Sequence, residues 1–236
     1  MKFLKENINK ILVLVIYILM FFVVSEWFFK VFDNFADLSD KVFLYTVTIN
    51  TIIYVVTIVS CLLLLKKELK TDFKILSNTS AMKVFWVCII GLVAGYLGNF
   101  IGSRIVQALD GADSSLNQSA IETLMFSKYG FIMIILTVFI GPITEELVFR
   151  KAMHNFFRNL KFPAWLILII SSVIFGFIHV LDEGDFVQVF PYIFMGAALG
   201  GIELYSKNIY PSMIVHIIIN AIATSMIFFY GIMGIM

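Results

Sequence analysis

Seven runs of mostly apolar residues recur along this chain, at 11–29, 42–65, 84–106, 130–150, 163–180, 187–204 and 211–230. Each is close to the roughly 20 residues an α-helix needs to cross a bilayer core. Backbone groups in hydrocarbon have no water to bond, and a helix satisfies them within a single segment. The expected fold class is therefore all-α, a polytopic transmembrane helix bundle of about seven spans. Composition agrees, with 61% hydrophobic and 14% charged residues. A soluble domain carries about 45–50% and about 25%. The apolar excess has to face lipid, so the bilayer is the first expected partner.

Orientation follows from the basic residues. Lys2, Lys5 and Lys10 precede the first run, which continues into Trp27-Phe28-Phe29 without a small-residue cleavage site, so it reads as a retained anchor. With the N-terminus cytoplasmic, 13 of the 17 Lys and Arg residues fall on that side. Only Lys30, Lys41, Arg104 and Lys128 lie outside. This places the C-terminus externally. The net charge of +1 and the lack of any nucleic-acid motif give no reason to expect nucleic acid as a partner. Small size and a Lys/Ile/Asn/Phe-rich composition suit a bacterial plasma membrane. No repeat or linker divides the chain, so residues 1–236 read as a single membrane domain, with 1–106 a helical scaffold and 130–226 the chemical core. The longest polar stretch, 107–128, is expected to be an external loop carrying a short amphipathic helix. Cys61 and Cys88 lie within apolar runs and read as ordinary small apolar residues.

The polar residues inside the later runs narrow the function. A charged side chain at mid-membrane costs about 2.5–3.5 kcal/mol and by default marks a functional site. Glu145, Glu146 and Arg150 interrupt one run; His179 ends the next; His216 and Asn220 lie in the last. Carboxylates, imidazoles and an amide are the parts of an acid–base hydrolase. On a helix Glu146 and Arg150 are i,i+4 neighbours in the favoured order and can neutralise each other. Glu145 lies about 100° further round and is free to face a cavity. Gly141-Pro142 just before it can break the helix and free backbone groups where water could enter. Phe175 shares a helical face with His179, and His216 shares one with Asn220. A wet helix end, an interfacial histidine or an interhelical hydrogen-bond pair would explain each patch separately. His154, beside Arg158 and Lys161, reads as surface. The run Asp182, Glu183 and Asp185 reads as solvated loop, and Arg104 and Glu203 as residues at span ends. Glycines 91, 95, 98 and 102, like Gly196 and Gly200, have the spacing of close helix packing.

Counting residues links two of the patches. With a turn near Lys161-Phe162-Pro163, Glu145 lies about 16–17 residues before it and His179 about 17 after it. In an antiparallel hairpin they meet at equal depth, about 25 Å from the turn. His216 fits this scheme poorly, being only a turn or two inside the opposite end of the next hairpin.

The motifs EExxxR (Glu145-Glu146-Arg150), FxxxH (Phe175-His179) and HxxxN (His216-Asn220), in this order, resemble the CPBP family. These intramembrane endopeptidases include the type 2 CAAX prenyl proteases and bacteriocin-processing or immunity proteins. The resemblance covers about residues 130–226. It implies an intramembrane catalytic cavity in which Glu145 and His179 activate a water for attack on a peptide carbonyl. His216 and Asn220 would hold the oxyanion, while Glu146, Arg150 and Phe175 position the helices. It further implies a metal-independent glutamic mechanism without cofactor, acting on a hydrophobic peptide or membrane-protein substrate. Glu plus two His is also a zinc ligand set, so a zinc protease is a rival reading, although HExxH is absent. A non-proteolytic role as immunity factor or regulatory scaffold is the rival of another class. A proton- or ion-relay transporter is a third, without the repeated, broken halves expected of one.

Overall fold

The computed structural model describes residues 2–32, 39–109, 114–181 and 184–233, and these contain helices and no strands. Asp182 and Glu183 of the expected acidic loop, and residues 110–113 of the expected external loop, lie outside them. The chain runs through α1 (Lys2–Ile18), a π-helical stretch Leu19–Val24 and α2 (Ser25–Phe32), then α3 (Ser39–Leu64), α4 (Lys66–Ser77) and α5 (Ala81–Leu109). A short α6 (Leu116–Met125) follows, its N-terminus capped by the Ser115 hydroxyl, which accepts from Gln118 N. This is the amphipathic helix expected within 107–128.

Among the described residues, six helical segments are long and apolar enough to cross a membrane: Glu6–Val31, Phe43–Leu64, Ala81–Leu109, Gly130–Asn159, Phe186–Ser206 and Ile209–Gly231. The seventh expected span, 163–180, forms α10 (Ala164–Ile178), which has only 15 residues. At 1.5 Å per residue it reaches about 22 Å, short of a core of about 30 Å. Large apolar side chains such as Leu63 (70% exposed) and Phe131 (75%) point outward, as lipid-facing groups do. The chain is a multi-pass membrane protein.

The fourth span is one continuous helix, and Gly141-Pro142 does not break it. Its parts are α7 (Gly130–Ile135), a π-helical turn Leu136–Ile140, α8 (Gly141–Glu145), a second π-helical stretch Glu146–Met153 and α9 (His154–Asn159). Pro142 has no N–H and its ring crowds the preceding turn. The ladder widens instead of ending, and Gly141 N bonds Leu136 O across five residues. The Thr144 hydroxyl donates to Ile140 O at 2.7 Å, satisfying a carbonyl there.

The chain reverses at residues 160–163, where Lys161 adopts a left-handed φ of 63°, and α10 returns alongside. Next come α11 (Val189–Ser206) and, after a left-handed Lys207, α12 (Ile209–Met233). Helix α11 sits centrally, against α5, α10 and α12. The glycine stripes allow this close approach. At Gly102 an added Cβ would lie 2.6 Å from the backbone of Pro191 on α11, and at Gly98 it would lie 3.1 Å from Phe194. Cys61 and Cys88 are free thiols buried in packing rather than facing lipid.

Candidate active site

Glu145, the last residue of α8, faces a cavity of about 400 Å³. The adjacent Glu146 turns into the protein and is fully buried. Both histidines of the other motifs meet Glu145 on one oxygen: its Oε2 lies 3.9 Å from His179 Nε2 and 3.7 Å from His216 Nε2. Asn220, one turn beyond His216, lines the same cavity and donates one amide N–H to Thr137 O at 2.9 Å. Glu145, His179, His216 and Asn220 are thus brought together from three separate helices.

Their orientations are fixed by neighbours. His179 Nδ1 lies 2.8 Å from Phe175 O, which can only accept, so Nδ1 carries the proton. In the neutral ring the Nε2 lone pair then points toward Glu145. The imidazole is held between two rings, Phe175 at 4.7 Å and Tyr192 at 4.5 Å, the latter nearly parallel at 17°. The Tyr192 hydroxyl bonds Ser115 Oγ (2.8 Å), and Leu116 N donates to Asp185 Oδ2 (3.2 Å), so the start of α6 is fastened beside His179. His216 Nδ1 lies 3.1 Å from Glu146 Oε1.

Glu146 is the hub of the buried polar cluster. It forms the expected ion pair with Arg150, at 3.6 Å from Arg150 Nε, but its hydrogen bonds go to the Ser212 hydroxyl and to His216. Arg150 donates to Gly196 O at 3.2 Å and lies 4.5 Å over the Phe175 ring, while its Nε and Nη1 have no hydrogen-bond partner among the described residues. Arg150 therefore ties the π-helical stretch to α10 and α11.

Three expectations need correction. His154 is not surface but completely buried, with Nδ1 2.7 Å from Glu203 Oε2 and Nε2 2.8 Å from Ser171 Oγ. Glu203 is not an idle span-end residue: it is 1% exposed and takes both His154 and Arg158, whose Nη2 lies 2.6 and 2.8 Å from its oxygens. A buried charge is tolerated only when paired and hydrogen-bonded, and this group ties α9, α10 and α11 together. The depth conflict at His216 also dissolves. Lys151 holds Asp72 of α4 at 2.7 Å, and Asp72 Oδ2 accepts from Ile209 N. The start of α12 therefore lies level with Lys151, well short of the turn at 160–163. His216 is seven residues beyond Ile209 and Glu145 six before Lys151, about 9–11 Å each way. The counting failed because the fourth span extends past the end of the α11–α12 hairpin.

Ser212, Tyr192 and the Asp72–Lys151 pair were not singled out in the sequence. Ser212 could have been, since Ser212, His216 and Asn220 continue one step of four. Among the described residues no group of three His, Cys, Asp or Glu side chains is arranged to hold a metal ion.

A lipid-facing helical bundle with carboxylates, imidazoles and an amide gathered at an internal cavity defines a class, a multi-pass membrane protein with a polar site in its interior. Residues 127–222, which hold all of these groups and make up less than half of the chain, match the family model described as type II CAAX prenyl endopeptidase Rce1-like. An uncharacterised protein of Mycoplasma capricolum is 32% identical over 139 residues, covering 56% of this chain and 39% of the relative. "UPF0177 protein YbdI" of Lactococcus lactis is 27% identical, covering 54% of this chain and 66% of the relative. The chain thus spans less than two thirds of the length of these two relatives. "Putative membrane peptidase YdiL" of Bacillus subtilis is 24% identical over 178 residues, 73% of this chain and 70% of the relative. No solved structure matches.

Proposed function

We propose that this protein is an intramembrane endopeptidase that hydrolyses a peptide bond in a hydrophobic or leader-bearing peptide, in a bacterial plasma membrane with its N-terminus cytoplasmic. The observation that carries this reading is the convergence of His179 Nε2 and His216 Nε2 on one oxygen of Glu145 at the cavity wall. Separations of 3.7 and 3.9 Å are too long for direct hydrogen bonds. A water seated beside Glu145 and His179 would reach both. Glu145, with the Nε2 lone pair of His179, takes the proton of this water as its oxygen attacks the carbonyl carbon, and later returns a proton to the leaving amine.

The oxyanion formed needs donors. Asn220 has used one amide hydrogen on Thr137 and keeps a second. His216 holds Glu146 through Nδ1, so in its imidazolium form the remaining Nε2–H faces the cavity. Such preorganised donors act on charge that develops only in the transition state. Glu146, Ser212, Arg150 and Phe175 position these groups. The mechanism uses no metal and no cofactor.

The test compares wild type with Glu145→Gln in the host membrane, by mass spectrometry of small secreted and membrane-associated peptides. A peptide whose processed form disappears only with Glu145→Gln supports proteolysis and names the substrate. An unchanged peptide pool refutes it.

A further inference from the structure

Helix α4 lies between two spans, following α3 directly and preceding α5, and its charges are sorted by sign. Both acids face the protein: Glu68 pairs with Lys10 of α1 at 3.5 Å, and the buried Asp72 holds Lys151 at 2.7 Å. All four lysines, Lys66, Lys67, Lys70 and Lys74, are exposed, and none has an ion-pair partner among the described residues. At 100° per residue they fall within a 100° arc, one continuous basic stripe. Phe73, 62% exposed, borders that arc, and Phe85 and Trp86 (53% and 55%) are bare one to two turns into α5.

A basic stripe edged by aromatic groups, on a helix held at the membrane end of two spans, is complementary to one surface in particular. Anionic headgroups match the ammonium groups, while the aromatic rings enter the boundary between headgroups and acyl chains. The Phe73 ring meets Tyr210 edge-on at 6.2 Å, yet most of its surface stays outward beside the lysines. The inward side of α4 connects this surface to the catalytic region. Asp72 accepts from Lys151 and from Ile209 N, and its backbone carbonyl accepts from Asn208 at 2.7 Å. It thereby fixes the start of the helix that carries His216.

We propose that α4 is an anionic-phospholipid docking helix, with Lys66, Lys67, Lys70 and Lys74 as the headgroup contacts and Phe73 as the interfacial anchor. This assignment does not depend on proteolysis and can fail or stand separately from it.

The test is native mass spectrometry of the full chain in detergent, with phosphatidylglycerol and phosphatidylcholine of matched acyl chains in competition. The wild type should retain phosphatidylglycerol preferentially. Each single Lys→Gln change in the stripe should weaken that retention about fivefold at low salt, and the quadruple change should abolish the preference. Lys30→Gln, at an exposed site already paired with Glu26, should leave it intact. Should the quadruple variant fail to fold, the Phe73→Trp variant reports instead. The indole emission it gains over wild type should shift to the blue in vesicles containing about one third phosphatidylglycerol, relative to phosphatidylcholine alone. Equal retention of the two lipids by the wild type, or identical emission from the Phe73→Trp variant in both vesicles, would overturn the proposal.

Discussion

Glu145 and Glu146 are neighbours in sequence with opposite structural burdens, and replacing each isolates its role. Glu146 is fully buried, accepts hydrogen bonds from Ser212 and His216, and is the counter-charge for Arg150. Arg150 is 1% exposed, and two of its nitrogens already lack hydrogen bonds. Glu146→Ala leaves that cation uncompensated, a change that typically costs about 3–5 kcal/mol. Total stabilities run about 5–15 kcal/mol, so the loss is a large share. With about 2–4 °C per kcal/mol for a chain of this size, the midpoint should fall by about 6–20 °C. Glu145 has its side chain 13% exposed at the cavity, and both ring nitrogens lie beyond hydrogen-bond distance. Glu145→Gln should therefore stay within about 0.5 kcal/mol of wild type, a shift of about 1–2 °C by the same conversion. The assay is thermal unfolding of purified protein in one detergent, with peptide cleavage measured alongside. Glu145→Gln should be stable and inactive, and Glu146→Ala unstable but not catalytically dead below its midpoint. Equal destabilisation of the two variants, or none in either, would refute this division of labour.

Asn220→Ala should lower kcat by about 10²–10³ with little change in KM, as loss of one oxyanion donor does. Equal kcat would remove Asn220 from the site. Gly102→Ala places a Cβ 2.6 Å from the Pro191 backbone and should destabilise by about 1–3 kcal/mol; Gly201→Ala meets nothing within 4 Å and serves as the comparison in the same melting experiment. Chelators should leave cleavage unchanged, and a loss restored by added zinc would favour the rival zinc protease.

Six of the seven expected spans and the glycine contacts were legible in the sequence because both are local patterns. Lipid demands long apolar runs, and small residues four apart make one flat helical face. The meeting of Glu145 and His179 was legible too, because the turn at 161–163 fixes equal chain lengths on either side. What escaped depends on tertiary placement. His154, Arg158 and Glu203 have the residue types of an interface, and water or a buried partner satisfies such groups equally well. Their one signal is the step of four running Glu146, Arg150, His154, Arg158, a single stripe down the fourth span facing α11 and α12. The depth of His216 escaped because nothing local reveals that the α11–α12 hairpin ends level with Lys151. Pro142 does not end its helix because a helix buried on several sides can widen to a π-helical turn more cheaply than it can end.

The most direct test of the central claim uses the peptide identified by its dependence on Glu145. That peptide is presented in synthetic form to purified protein in vesicles, in water enriched in ¹⁸O. Wild type should cleave it and leave one ¹⁸O atom in the new carboxylate, and Glu145→Gln should not cleave it under conditions where it remains folded. Cleavage by Glu145→Gln at the wild-type rate would contradict the central claim.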